Sequence, residues 1–253
     1  MMNIITSEFY RIFRSKIFYV ISIILLVMNV IASVSTIYVQ NLTSFSSEIK
    51  AQMSGTGITS YQGSYGGDLI FYIILIFVSC LITAEYSNGN IKQKASHGIT
   101  RWKLVLGQNI AITSVITIIL LGFGILNLLT NTLLSQLGEV DISSFILMNI
   151  GLICMFWGMA GIGTVFSYLF KNGGITVAIS MLFVISGNII VQFMTLLTEN
   201  DIFTKYSLAN MRRIIIDFTS KPEDIVKSSI VFLLIGVVTI LGSSLLFSKR
   251  DVV

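Results

Sequence analysis

The stretch "EYSNGNIKQKASHGITRWK", residues 85–103, decides how this chain is read. It holds the only histidine, His97, together with Glu85, Lys92, Lys94, Arg101 and Lys103. Apolar sequence flanks it on both sides, at residues 69–84 and 110–129. The whole chain is 54% hydrophobic and 11% charged, with one proline and a mean hydropathy of +0.88. A soluble domain has about a quarter of its residues charged. A polar break in so apolar a chain reads as a loop between membrane spans.

A bilayer core of ~30 Å needs about 20 apolar residues of helix at ~1.5 Å each. Six windows meet that length: residues 17–39, 65–84, 110–129, 145–170, 175–197 and 228–247. The second reaches it only by running back through Gly67 and Gly66 to Tyr65, which sets Asp68 at the interface. The first follows Arg11, Arg14 and Lys16, but its apolar part is too long for a signal peptide and no clear A-x-A site follows. The expected fold class is therefore an all-α polytopic membrane protein, a single transmembrane unit over residues 1–253. Cys80 and Cys154 fall inside spans and read as packing groups, with no disulfide framework or metal pattern. The net charge of +4 sits beside the spans, which points to membrane topology and not to nucleic-acid binding.

Six spans put both ends on one side. If that side is the cytosol, the inner segments carry ten of the sixteen Lys and Arg: Arg11, Arg14, Lys16, Lys92, Lys94, Arg101, Lys103, Lys171, Lys249 and Arg250. Five of the other six lie in the long segment 198–227, where acids balance them, and the short outer loops hold just Lys50. The bias favours cytosolic ends and a cytosolic 85–103 stretch, in a plasma membrane. Within that stretch Ser87 or Asn88 can cap a short helix over residues 90–96, Gly98 suits its stop, and Thr100 can cap a new helix from Arg101. On topology alone this is either a short helix across the cytosolic face or a solvated hairpin.

No Asp, Glu, Lys, Arg or His lies deep in a window, which disfavours ion-coupled carriers and pumps. There is no G-x-S-x-G, no paired acid motif in a span, and no G-x-x-x-x-G-K-[ST] phosphate loop. Neutral polar residues form stripes: Ser22, Asn29, Ser33 and Thr36 in the first span, and Ser180, Asn188, Gln192 and Thr195 in the fifth. These line a pathway or bond neighbouring helices. Gly151, Gly158, Gly161 and Gly163 in the fourth read as close helix contact. Ile5, Phe9, Ile12 and Phe13 share one side of an amphipathic start, with Glu8 and Arg11 elsewhere, as in an interfacial helix. Leu208, Met211, Ile214, Ile215 and Phe218 share a face of a short outer helix whose other face takes Arg212, Arg213 and Asp217. Pro222, Glu223 and Asp224 read as the first turn of the last span.

This order resembles the permease subunit of a type-2 ABC exporter. The resemblance rests on Glu85 at the end of the second span, Gly89 four residues on, and Arg101 before the third, in "EYSNGNIKQKASHGITRWKLVLGQ". The tail "FSKRDVV" is similar to the family's ending. These permeases often have Lys where this chain has Gln108. The resemblance implies a coupling helix in residues 85–103 that sits on a separate cytosolic ABC ATPase. Glu85, Gly89, Lys92, Lys94, Gly98, Arg101 and Trp102 would form that contact, and Lys171 of the "KNGG" turn a smaller one. It implies no cofactor in this chain, with ATP and Mg bound by the partner ATPase. It also implies a second permease, identical or similar, with a pathway between the halves near Phe71, Phe77, Ser180, Asn188 and Gln192. Family members of this size export peptide toxins or confer resistance to antimicrobial peptides, and others move drugs, lipid-linked glycans or sodium. An uncharged path favours an amphipathic or hydrophobic cargo. The Ile-, Asn- and Lys-rich usage suits an AT-rich bacterium. A membrane scaffold or sensor that transports nothing is the alternative.

Overall fold

In hydrocarbon a backbone must satisfy its own hydrogen bonds, so apolar spans fold as helices. The computed structural model describes residues 2–41, 55–89, 100–198 and 202–249. Among them are ten helices: α1 (Met2–Phe13), α2 (Lys16–Asn41), α3 (Gly57–Gly66), α4 (Leu69–Ser87), α5 (Arg101–Leu134), α6 (Ile142–Phe170), α7 (Gly173–Thr198), α8 (Ile202–Lys205), α9 (Leu208–Ile216) and α10 (Pro222–Lys249). Six of these, α2, α4, α5, α6, α7 and α10, are long and apolar enough to cross a membrane. The all-α polytopic fold is as the sequence predicts. The short helix expected over residues 90–96, with Lys92, Lys94 and Gly98, lies outside the described residues.

The second span differs from its expected limits. Helix α3 ends at Gly66, and α4 begins afresh at Leu69 behind Asp68. Tyr65 therefore belongs to a separate short helix, whose start is fixed by a capping box. There the Thr59 N–H donates to Thr56 Oγ1 at 3.3 Å and the Thr56 N–H to Thr59 Oγ1 at 2.7 Å. Span length is recovered at the other end, where α4 continues to Ser87. Helix α3 lies along the C-terminal half of α5: Gly57 N–H donates to Gln136 O at 2.8 Å, and Tyr65 Oη to Leu120 O at 3.0 Å. At 34 residues, α5 is about 50 Å long, more than a bilayer core requires.

Helix α4 is the centre of the bundle. About 67% of its apolar window is buried, against 17% for α2 and α7 and 22% for α10, so the latter three supply the outward apolar surface. The close contact read from the α6 glycines is present. A Cβ at Gly158 would lie 2.5 Å from the backbone oxygen of Phe232, so α6 and α10 touch backbone to backbone there. The polar stripe of α2 bonds a neighbouring helix: Asn29 Nδ2 donates to Thr130 Oγ1 at 3.3 Å and Thr36 Oγ1 to Asn131 Oδ1 at 3.0 Å, both on α5. Such bonds give polar groups partners that hydrocarbon cannot. Helix α10 starts at Pro222 with Glu223 and Asp224 in its first turn, as the sequence indicates.

Candidate coupling site

The polar stretch begins in the last turn of α4, and that turn is anchored by charge. Glu85 is fully buried and pairs with Arg11 of α1. The other arm of the Arg11 guanidinium takes a 2.5 Å bond to Glu8 Oε2, and Glu8 is 1% exposed. One guanidinium thus bridges two buried carboxylates on two elements. Burying charge is tolerable only with such partners and good geometry.

This corrects the expected orientation of α1. Ile12 is fully buried, Ile5 and Phe9 pack against the core, and Gly107 of α5 leaves room for Ile4. Glu8 does not sit apart from that face. At ~100° per residue it lies between Ile5 and Ile12, three and four residues away, at the border of the apolar face. Docking α1 onto the bundle carries it inside, where Arg11 neutralises it. Arg11, read in the sequence as a topology marker off the apolar face, reaches the same place on its long stem.

Aromatic and amide groups extend the site across the bundle. Tyr86 meets Tyr168 of α6 edge to face at 5.8 Å, and Tyr168 meets Phe247 of α10 at 5.3 Å. Tyr168 Oη donates to Gln108 Oε1 at 2.6 Å, both residues being buried. This gives Gln108 a definite role. It accepts a hydrogen bond, which a lysine could not do, lacking any acceptor. One residue on, Asn109 Nδ2 donates to Thr164 Oγ1 at 2.8 Å and ties α5 to α6 again. Lys171, in the short turn after α6, has φ +57°, the left-handed helix-ending conformation usually left to glycine. Its Nζ lies 5.6 Å from the Tyr86 ring centroid. Glu85, Tyr86 and Lys171 are therefore brought together. Gly89, at φ +70°, ends the α4 turn, where a side chain would be strained.

At the start of the third span Thr100 takes the N-cap position and α5 starts at Arg101 as expected, although the Thr100 side chain makes no capping bond. Trp102 is half exposed, with the Lys103 Nζ 5.6 Å from its ring centroid. The residues named for a pathway are dispersed. Phe71 and Phe77 are fully enclosed in the core of this chain, and Ser180 is buried and bonds back to Thr176 O. Gln192 is exposed beside a cavity of about 570 Å³ that Asn188, Asn210 and Arg213 also line.

That cavity borders a second charged contact at the opposite end of α4. Arg212 Nη1 lies 2.6 Å from Asp68 Oδ1, and Asn188 Nδ2 donates to Asp68 Oδ2 at 3.2 Å. The guanidinium also stacks 4.8 Å from the Phe71 ring centroid. This places Arg212 on the inward side of α9, not on its polar face beside Arg213. The carboxylate at the start of α4, with an aromatic face next to it, draws the guanidinium in. Both ends of the central span are thus held by an Arg–carboxylate pair to a surface helix.

The sequence profile described as ABC-2 family transporter protein matches residues 2–252. No curated protein matches the chain. With a profile match over nearly the full length and six helices long and apolar enough to cross a membrane, the chain belongs to the ABC-2 family of transporter proteins as a multi-pass membrane permease.

Proposed function

We propose that this chain is the membrane subunit of an ATP-driven exporter, with both termini and residues 85–103 in the cytosol of a bacterial cell. Permeases of this family normally work with an ATPase subunit, and the chain has no phosphate loop of its own. A separate ABC ATPase, holding ATP and Mg, would bear on residues 85–103. Two permeases, identical or similar, would enclose the path. The cargo favoured by uncharged spans is amphipathic or hydrophobic, such as a peptide toxin, an antimicrobial peptide or a drug.

The observation that carries this reading is the Glu8–Arg11–Glu85 cluster. A push on a loop moves spans only if the loop's root is stiff. Glu85 is that root, and Arg11 fastens it to α1, which packs on the start of α5. Displacement at residues 85–103 is then shared by α1, α4 and α5 together. The test is co-expression with an ATPase subunit, co-purification, and ATP hydrolysis by the complex with and without an amphipathic peptide. Stable co-purification and peptide-stimulated hydrolysis are expected. Failure to bind any ABC ATPase would favour the scaffold or sensor reading.

A further inference from the structure

Between the junction of α1 with α2 and the last turns of α4 lies an open cavity of about 560 Å³. Tyr10, Arg11, Arg14, Lys16, Leu81 and Ala84 contribute to its wall, and no carboxylate residue does. The Arg11 Nη groups are engaged by Glu8 and Glu85, which leaves Arg14 and Lys16 as the available cations. Among the described residues neither forms a salt bridge. Arg14 is held in position, its guanidinium carbon 4.5 Å from the Tyr10 ring centroid.

The lining is graded along the spans. Its basic mouth is the end lined by Arg14, Ser15 and Lys16 at the start of α2, with Asn88 just past the end of α4. Its inner wall, with Leu81 and Ala84, runs toward the hydrocarbon. From there the exposed apolar side chains of Tyr19, Val20 and Ile23 continue along α2. A free phosphate would use only the mouth. A molecule with an anionic head and an acyl tail matches both ends at once.

We propose that this cavity is a binding site for an anionic phospholipid, with its phosphate at Arg14 and Lys16 and an acyl chain along α2. The site depends on the membrane-spanning fold and not on the exporter reading. Arg11 belongs to both the cavity and the Glu85 anchor, so the lipid sits against the coupling site.

The full chain is reconstituted in nanodiscs of phosphatidylglycerol and phosphatidylcholine with the same acyl chains, and lipids retained on the protein are read by native mass spectrometry. Wild type should retain phosphatidylglycerol selectively. Arg14→Ala with Lys16→Ala should lower that selectivity about thirtyfold, each basic side chain near an anionic surface giving on the order of fivefold. Lys221→Ala with Lys227→Ala, which removes the same charge at the other end of the bundle, should leave it intact. Ala84→Trp, which keeps every charge and fills the apolar wall, should also reduce it, and stands in if the double variant misfolds. Equal retention of the two lipids by wild type would overturn the proposal. So would equal loss in the Lys221/Lys227 variant, which would make the effect one of net charge. Full displacement of the lipid by millimolar glycerol 3-phosphate would show a free-anion site instead.

Discussion

Exchanging Arg11 for methionine keeps the aliphatic stem that packs against the bundle and removes the guanidinium that Glu8 and Glu85 share. Glu85 is fully buried, and the Arg11 side chain is 26% exposed. Breaking a buried ion pair from one side costs about 3–5 kcal/mol, and partial exposure of Arg11 puts this one near ~3 kcal/mol. For a chain of this length that is roughly a 6–12 °C fall in unfolding temperature, at about 2–4 °C per kcal/mol. Glu85→Gln removes the charge from the other side while keeping the shape. The double variant then lacks the interaction altogether, so its cost should fall short of the sum of the singles by ~2 kcal/mol or more. Thermal unfolding of the purified chain in one detergent, for all four proteins, measures this coupling. Singles that add to within about 0.5 kcal/mol would show that Arg11 and Glu85 act independently. Arg11 would then not be the anchor of Glu85.

At the other end of α4, Arg212→Ala should destabilise the chain by about 2–4 kcal/mol, because Arg212 is 8% exposed and bonded to Asp68, while exposed Arg213→Ala should stay within ~0.5 kcal/mol. Gly158→Ala should cost about 1–3 kcal/mol, since its Cβ meets the Phe232 carbonyl backbone, whereas Gly122→Ala, with open space around it, should be neutral or gain up to ~1 kcal/mol; both are read by unfolding in detergent. Asp141 caps α6, and the Ser143 hydroxyl and Ser144 N–H hold its carboxyl below the usual carboxylate value. Its contribution is therefore present above that value and lost as pH falls through the lowered one. Amide exchange at Ser144 should exceed its intrinsic pH trend below about pH 4, and Asp141→Asn should remove that excess. Single cysteines at exposed Ser87 and Thr198, in a chain lacking Cys80 and Cys154, should react with an impermeant reagent in intact cells only at Thr198. Labelling at Ser87 would invert the proposed topology.

The spans were legible because length and hydropathy are local properties; the α2 stripe was legible as groups that need partners, and the structure shows that two of them, Asn29 and Thr36, find those on α5 and not only along a pathway. The break at Gly66–Asp68 was harder. Glycine is common in membrane helices, so two in succession do not mark a helix end there. What sets α3 apart from α4 is its docking on α5, through Gly57 N–H to Gln136 O and Tyr65 Oη to Leu120 O, and docking is a tertiary event. The Glu85 anchor was half legible. Glu85 stood out as an acid ending a span, but its partner lies 74 positions away (85 − 11) on a helix read as purely interfacial. The border position of Glu8 beside Ile5 and Ile12, with Arg11 three residues on, was the available signal. Arg212 was misread for a related reason. Periodicity assigns a charged residue to the polar face, and only the approach of Asp68 and Phe71 makes the inward rotamer favourable.

The central claim is that residues 85–103 transmit the work of a separate ATPase to the spans. Arg101→Ala, compared with Lys50→Ala in the segment after the first span, tests it most directly in cells carrying both subunits. Expression, ATPase co-purification and peptide export or resistance are scored on the same preparations. Arg101→Ala should insert normally, since Lys92, Lys94 and Lys103 still mark that side, yet lose ATPase binding or export, while Lys50→Ala keeps both. Full ATPase binding and full transport by Arg101→Ala would contradict the claim and leave the stretch as a topology signal alone.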